Sequence, residues 1–207
     1  MGQDVAAAQQ MREAIFELYD GLTREQREQA CLPFENQAAR ADWAYFPRRE
    51  QGLALAGLDH RQQKLVHRLL RAGLSFQAYA RATTIMSIEH VLDEIEQRRA
   101  TQIRDASLYY LTIWVTRIEG VIVEPPRGWR FQGHHISVNY TFGDDGLAGA
   151  SPLFLGSNPA RVSHGGYDIL RPLGDAEDRA RELLDALRPD QKARAVGLGA
   201  LHPGPAS

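Results

Sequence analysis

Val5, Ala8, Ile15, Leu18 and Leu22 recur at the three-and-four spacing of one helix face, which predicts an amphipathic helix over residues 4–19. Thr23 followed by Gln26 has the form of a capping box and opens a short second helix; Asp59 with Gln62 opens a third from about 60 to 72. The stretch LRPDQKARAV resembles LTREQREQA, with Pro189 suited to a first helical turn. The copies are irregularly spaced, so they read as a shared helix start and not as a solenoid repeat. Ser75 caps a long helix predicted to run to about Gln97. Phe76, Tyr79, Thr83, Met86 and His90 form one stripe on it, and Ile85, Ile88, Leu92 and Ile95 form another on the opposite side. A helix apolar on both sides is a central one, buried on each flank. Glu89 lies between the stripes, where an unpaired carboxylate is costly to bury.

Beyond residue 104 the period changes to two. SLYYLTIWVTRI is rich in β-branched and aromatic residues, EPPRG reads as a turn, WRFQGHHISVNYTF as a second strand, GDDG as another turn and LAGASPLFL as a return strand. DAEDRARELLDAL closes the chain with an amphipathic helix. Clustered strands flanked by clustered helices predict an α+β fold: an antiparallel β-meander packed against a long central helix, with further helices at both ends. One domain over 1–207 is expected, helical over 1–99, strand-rich over 105–160 and helical again over 174–197. Residues 31–57, with aromatics, prolines and glycines but no period, read as a long irregular segment of the kind that wraps over a site.

Composition narrows the function. A formal net charge of −2, with Arg98-Arg99 the best basic run, gives no footprint for nucleic acid. No apolar run reaches the ~20 residues of a membrane span. No signal peptide is visible, and position 6 is alanine where a myristoylation signal prefers Ser or Thr. Cys31 is the single cysteine, which excludes an internal disulfide and any cysteine-rich metal site. The expected setting is cytoplasmic.

The candidate chemistry lies in RFQGHHISVNYTF. Read as one strand from Trp129 to Phe142, one face carries Arg130, Gln132, His134, Ile136, Val138 and Tyr140, and the other Phe131, Gly133, His135, Ser137, Asn139 and Thr141. The polar second face is solvated in the plainer reading, with His134 a core histidine. In the sharper one His135, Ser137 and Asn139 line a cavity, and a bulge at Gly133 turns both imidazoles toward one place. The other histidines offer less. His60 and His67 share a helix face but lie about 10 Å apart along it. His90 belongs to an apolar stripe, His164 to a glycine loop and His202 to the tail. Helical HExxH, P-loop, GxGxxG and GxSxG elements are absent, so no nucleotide cofactor is expected.

Trp129, Gly133, His134, His135, Ser137 and Asn139, with Tyr109-Tyr110 before them and SPLFLGSNPA after, resemble the family catalogued as domain of unknown function 3500. The likeness extends through DWAYFPR, GLSFQAYARATTIMSIEHVL, RDASLYY and PLGDAEDRARELLDAL. Glu89 matches an acidic position of the pattern, and Pro152, Gly156 and Pro159 match the strand after the second hairpin. Ser151 departs from it, standing where a threonine is usual. The resemblance implies that Gly-His-His is a site and brings no reaction or substrate with it.

Taken together, these residues predict a metal-dependent enzyme, an oxidoreductase or hydrolase, acting on a small polar molecule. His134, His135 and Glu89 are the expected ligands of zinc, iron, copper or manganese, with Glu89 and His135 also catalytic. Arg130, Ser137 and Asn139 are expected to contact substrate, Arg130 by a two-pronged grip on a carboxylate, with Trp43 and Trp129 as apolar walls. Two alternatives stand beside this: a metal-free acid/base enzyme using His135 and Glu89, and a non-catalytic binding or interaction module in which the histidine pair is structural. The oligomeric state is not set by the sequence.

Overall fold

The computed structural model describes residues 2–97, 103–118 and 121–196. Arg98-Arg99 and His202 lie outside them. The chain divides into two compact units, Met1–Pro172 and Leu173–Ser207. In the second, α7 (Gly174–Ala186) and α8 (Pro189–Ala195) expose every side chain to some degree, and Gln191 accepts the Arg188 amide at the start of α8.

The first unit opens with α1 (Gly2–Asp20), α2 (Arg24–Ala30), β1 (Cys31–Pro33) and α3 (Gln37–Ala41). β2 (Leu53–Ala54) leads to α4 (His60–Gly73), α5 (Phe76–Ser87) and α6 (Glu89–Ile95). The expected capping boxes form at Thr23–Gln26 and Asp59–Gln62. They also join: Gln62 Nε2 donates to Gln26 Oε1 and to the Gly21 carbonyl, both at 2.8 Å. Two helix starts are thus tied to one corner.

The long helix expected from Ser75 to Gln97 is broken. Ser75 caps α5 as predicted, accepting from the Ala78 amide, but Ile88 separates α5 from α6. The reason lies just upstream, where the Thr83, Thr84 and Ser87 hydroxyls donate back to carbonyls one turn earlier. Such back-bonding competes with the helical ladder and bends it. Nor is the pair central. Ala82, Ile85, Met86, Ile88 and Leu92 are buried, but Phe76 is 81% and Ile95 59% exposed.

The sheet is mixed. β3 (Tyr110–Ile118), β4 (Val121–Gly133), β5 (Ile136–Gly143) and β6 (Gly146–Gly149) are antiparallel neighbours, but β1 joins β3 in parallel and β2 pairs with its other end. β7 (Leu153–Leu155) pairs with β5 over Ile136–Val138, next to the part that β6 occupies. A simple meander is therefore not the whole sheet. EPPRG is not a turn but part of β4, placed where the β3–β4 register shifts between Trp114 and Thr116. A bulge is where a strand can hold prolines, which have no amide to donate to the ladder. β8 (Val162–His164) and β9 (Tyr167–Leu170) form a separate hairpin, turned by Gly165 and Gly166, both with positive φ. Among the described residues no helix is long and apolar enough to cross a membrane.

One sheet face carries Leu111, Ile113, Trp129, Phe131, Ile136 and Val138 into a core closed by α1 and α4. The other carries Thr112, Arg130, Gln132, Ser137 and Asn139, polar and yet buried. Residues 39–52 cover part of it. Arg130 Nη1 donates to the Ala39 carbonyl at 2.7 Å and to that of Asp42 at 2.8 Å. Gln132 Nε2 donates to Glu50 at 2.7 Å, and Thr112 to the Gln51 carbonyl. Gly52 has φ +109° and lies so close to Leu111 and Thr112 that a Cβ there would come within 2.6 Å of both. The plainer expectation of a wet polar face gives way to a polar face under a strap.

Replacing Arg130 by methionine strips those two carbonyls of their donor in a buried place. The expected cost is roughly 1–3 kcal/mol in urea unfolding, with amide exchange accelerated over residues 37–51. Unchanged exchange there would show that Arg130 does not hold the strap.

Candidate functional site

Gly133 pairs with Ile136, so His134 and His135 are the two residues of a hairpin turn, not the middle of one strand. The turn resets the alternation of side chains. Arg130 faces Asn139 and Gln132 faces Ser137 on one side; Trp129 faces Tyr140 and Phe131 faces Val138 on the other. His135 takes φ +59°, the left-handed region in which a turn usually places glycine or asparagine. Its amide donates to the Tyr45 carbonyl at 3.0 Å, and its own carbonyl accepts the Gly156 amide at 2.7 Å.

Two glycines make the turn fit. A Cβ on Gly133 would stand 2.6 Å from the Tyr109 ring, and one on Gly156 2.7 Å from His135 Nδ1. Each glycine is the floor beneath a ring. The bulge expected at Gly133 is not what brings the imidazoles together; the turn does, with ring centroids 4.1 Å apart.

His134 Nδ1 lies 2.5 Å from Glu89 Oε1, and both side chains are buried. A carboxylate only accepts, so Nδ1 is the donor, and in the neutral tautomer that this selects the lone pair is on Nε2. Glu89 opens α6, where the break at Ile88 ends the preceding helix. The Tyr109 hydroxyl is 2.9 Å from the His134 carbonyl and 3.2 Å from Glu89 Oε1. Burial first, then the charge and hydrogen bond of Glu89, hold that phenol far above its ordinary pKa, so it remains a donor. The three side chains line a cleft of about 340 Å³, walled further by Ile103, Leu108 and Asp105 and by Arg48 and Arg49 of the strap. Hydrogen bonds from Ser107 hold the Asp105 carboxyl below its usual range.

His135 differs from its neighbour. Its Nδ1 is buried with no hydrogen-bond partner, and its ring stacks at 6.4 Å on Tyr45. Burial, then the nearby His134 and Arg104, lower its pKa to about 4. At neutral pH this imidazole is uncharged.

Of the expected trio, Glu89 meets His134 directly, and the His134 and His135 rings lie side by side with centroids 4.1 Å apart. The five residues expected at the substrate do not join them. Trp129 is fully buried in the core, stacked on Tyr140 and donating to Met11. Arg130 is buried with its guanidinium over Trp114; Nη1 is held by the strap carbonyls, while Nε and Nη2 have no hydrogen-bond partner among the described residues. Asn139 Nδ2 donates to the Ser137 hydroxyl and to the Pro152 carbonyl, both at 2.9 Å. Trp43 is 42% exposed, against Phe154. Reading one strand through the turn sets Ser137 and Asn139 on the face opposite Arg130, whereas the turn puts all three on one face. Among the described residues no group of three or more His, Cys, Asp or Glu side chains is arranged to hold a metal ion. Glu89 Oε1 is engaged by His134, so the predicted trio is not splayed around a common point.

Tyr109, Arg48 and Arg49 are cleft residues that the sequence reading did not single out. Tyr109 was within reach of it, as an aromatic immediately before a strand predicted to pair with Gly-His-His. Of the remaining histidines, His67 contacts the Tyr79 hydroxyl at 3.1 Å and has its pKa lowered by burial. His164 is exposed on the β8–β9 hairpin.

A mixed sheet bearing a buried carboxylate–imidazole–phenol cluster at the floor of a cleft defines an α+β protein with a pre-formed polar site. The chain belongs to the family described as Protein of unknown function (DUF3500), whose model matches residues 4–202. No curated protein and no solved structure matches it.

The lowered pKa of His135 fixes a sign. Between about pH 6.5 and 4 the unfolded chain binds the proton that the folded one refuses, so stability falls as pH drops through that window and levels off below it. His135→Gly, which also relieves the left-handed backbone, is expected to flatten that slope in urea titrations. An identical slope in the variant would assign the effect to other groups.

Proposed function

We propose that the chain is an acid/base enzyme acting on a small polar molecule in the cleft of about 340 Å³. His134 is the base, presenting the Nε2 lone pair, and Glu89 orients it. The observation that carries this is the 2.5 Å contact from Glu89 Oε1 to His134 Nδ1 at the cleft floor. A buried carboxylate on Nδ1 fixes the tautomer and stabilises the imidazolium that forms when Nε2 takes a proton. Glu89 is itself steadied by Tyr109, which stays protonated and does not compete for the proton. His135 stays neutral and packs the turn that presents His134. The role first given to His135 therefore passes to His134.

A second reading retains the metal. Carboxylates hold metal-bound imidazoles in the same manner, hydrogen-bonded to the nitrogen that does not ligate, so His134 Nε2 and a solvent-facing group of the cleft would hold a zinc, iron, copper or manganese ion. A reducing, cytoplasmic setting suits the buried free thiol of Cys31.

The test is a turnover screen of the untagged full chain against small esters, amides and hydroxy or keto acids, with elemental analysis alongside. A hit should lose roughly 10²–10⁴-fold in kcat in His134→Gln and in Glu89→Gln, with folding retained by circular dichroism. Turnover indifferent to both substitutions would sink the proposal. A stoichiometric metal lost in His134→Gln would replace it by the second reading. Variants that lose stability while no substrate is turned over would favour a structural histidine pair in a binding module.

A further inference from the structure

The strap that walls the cleft also carries three exposed rings within four residues: Trp43 at 42%, Tyr45 at 46% and Phe46 at 44% exposure. Soluble surfaces show scattered apolar residues, but a run of large rings beside a cleft is the pattern of a binding surface. These rings are not loose. Trp43 lies 5.5 Å from Phe154, Tyr45 meets Phe46 edge to face at 5.8 Å, and Tyr45 stacks on His135. The Tyr45 carbonyl accepts the His135 amide, so the strip is fastened to the turn that bears the proposed base. Directly after it in the chain, Pro47, Arg48 and Arg49 enter the cleft wall.

The charges beside the strip are unequal in availability. Arg48 is spent on Asp42 at 2.8 Å and Glu50 at 2.7 Å. Glu89 is engaged by His134 and Tyr109, and Asp105 by the amide and hydroxyl of Ser107 at 2.7 Å. Arg49 is exposed and makes no ion pair among the described residues. Aromatic faces alone would also welcome a cation, but the Arg49 guanidinium at the cleft end of the strip, unpaired among the described residues, disfavours one. A fork of donors with nothing to bind matches a carboxylate or phosphate.

We infer that the rim of the cleft takes a flat-ringed anion, its ring lying on Phe46 with Tyr45 at its edge and Trp43 extending the surface, and its acidic group on Arg49. This rests on the reading of the cleft as the substrate site and narrows it to a class. The carboxylate grip that the sequence placed on Arg130 falls instead to Arg49, and the apolar wall placed on Trp129 falls to Tyr45 and Phe46.

Calorimetric titration of the full chain with 2-naphthoate, 2-naphthylmethylamine and glucuronate tests it. Naphthoate should bind saturably, about 10-fold or more weaker in Arg49→Gln and in Phe46→Ala, and the amine should not bind. The Arg49 and Phe46 side chains are both exposed, and thermal melts check that the variants fold. Glucuronate binding more tightly than naphthoate would overturn the flat ring, since a saturated pyranose is not flat. Binding should persist in His134→Gln, so a failure of the proposed chemistry and a failure of this recognition are read apart. Absence of anion binding, equal binding of the amine, or affinity indifferent to both substitutions would overturn the inference.

Discussion

The pairing of Gly133 with Ile136 is the constraint on which most of the molecule depends. Because it leaves two residues for the turn, it decides the face of every side chain on either side. Trp129, Phe131, Ile136 and Val138 go to the core, and Arg130, Gln132, Ser137 and Asn139 go under the strap. A register slip of one residue would exchange these sets, burying a guanidinium against α1 and α4. The ring of Tyr109 across Gly133 and the ring of His135 across Gly156 act as wedges that hold the register.

A buried polar face needs partners, and this one obtains them from a segment with little regular structure of its own. Main-chain carbonyls of Ala39, Asp42 and Gln51 accept from the sheet, and Glu50 accepts from Gln132. The aromatic side chains of the same segment are left on the outside, since its polar atoms are turned inward. Site, strap and sheet are in this sense one hydrogen-bonded construction.

Much of this was legible in the sequence, and the failures have particular causes. Helix starts were readable because Thr23, Asp59 and Ser75 act within three residues of their own amides. The α+β class was readable from the change of period, whereas residues 31–57, which show none, hide the short β1, α3 and β2. The break at Ile88 was hidden because Thr83, Thr84 and Ser87 also fit a helical pattern. The turn was hidden because His-His is not turn chemistry, and its left-handed residue is neither glycine nor asparagine. That one omission put Ser137 and Asn139 on the face opposite Arg130. It left Glu89, His134 and His135 untouched, because a buried acid beside a histidine pair is a chemical expectation that does not depend on strand faces.

Glu50 and Asp42 each serve two masters. Glu50 binds Gln132 of the sheet and Arg48 of the cleft wall, and Asp42 lends its carbonyl to Arg130 and its carboxylate to Arg48. The cover of the sheet and the wall of the cleft are therefore a single thermodynamic element. By reciprocity, whatever tightens the wall around an occupant must also slow the fraying of the cover, and whatever frays the cover must loosen the grip on the occupant.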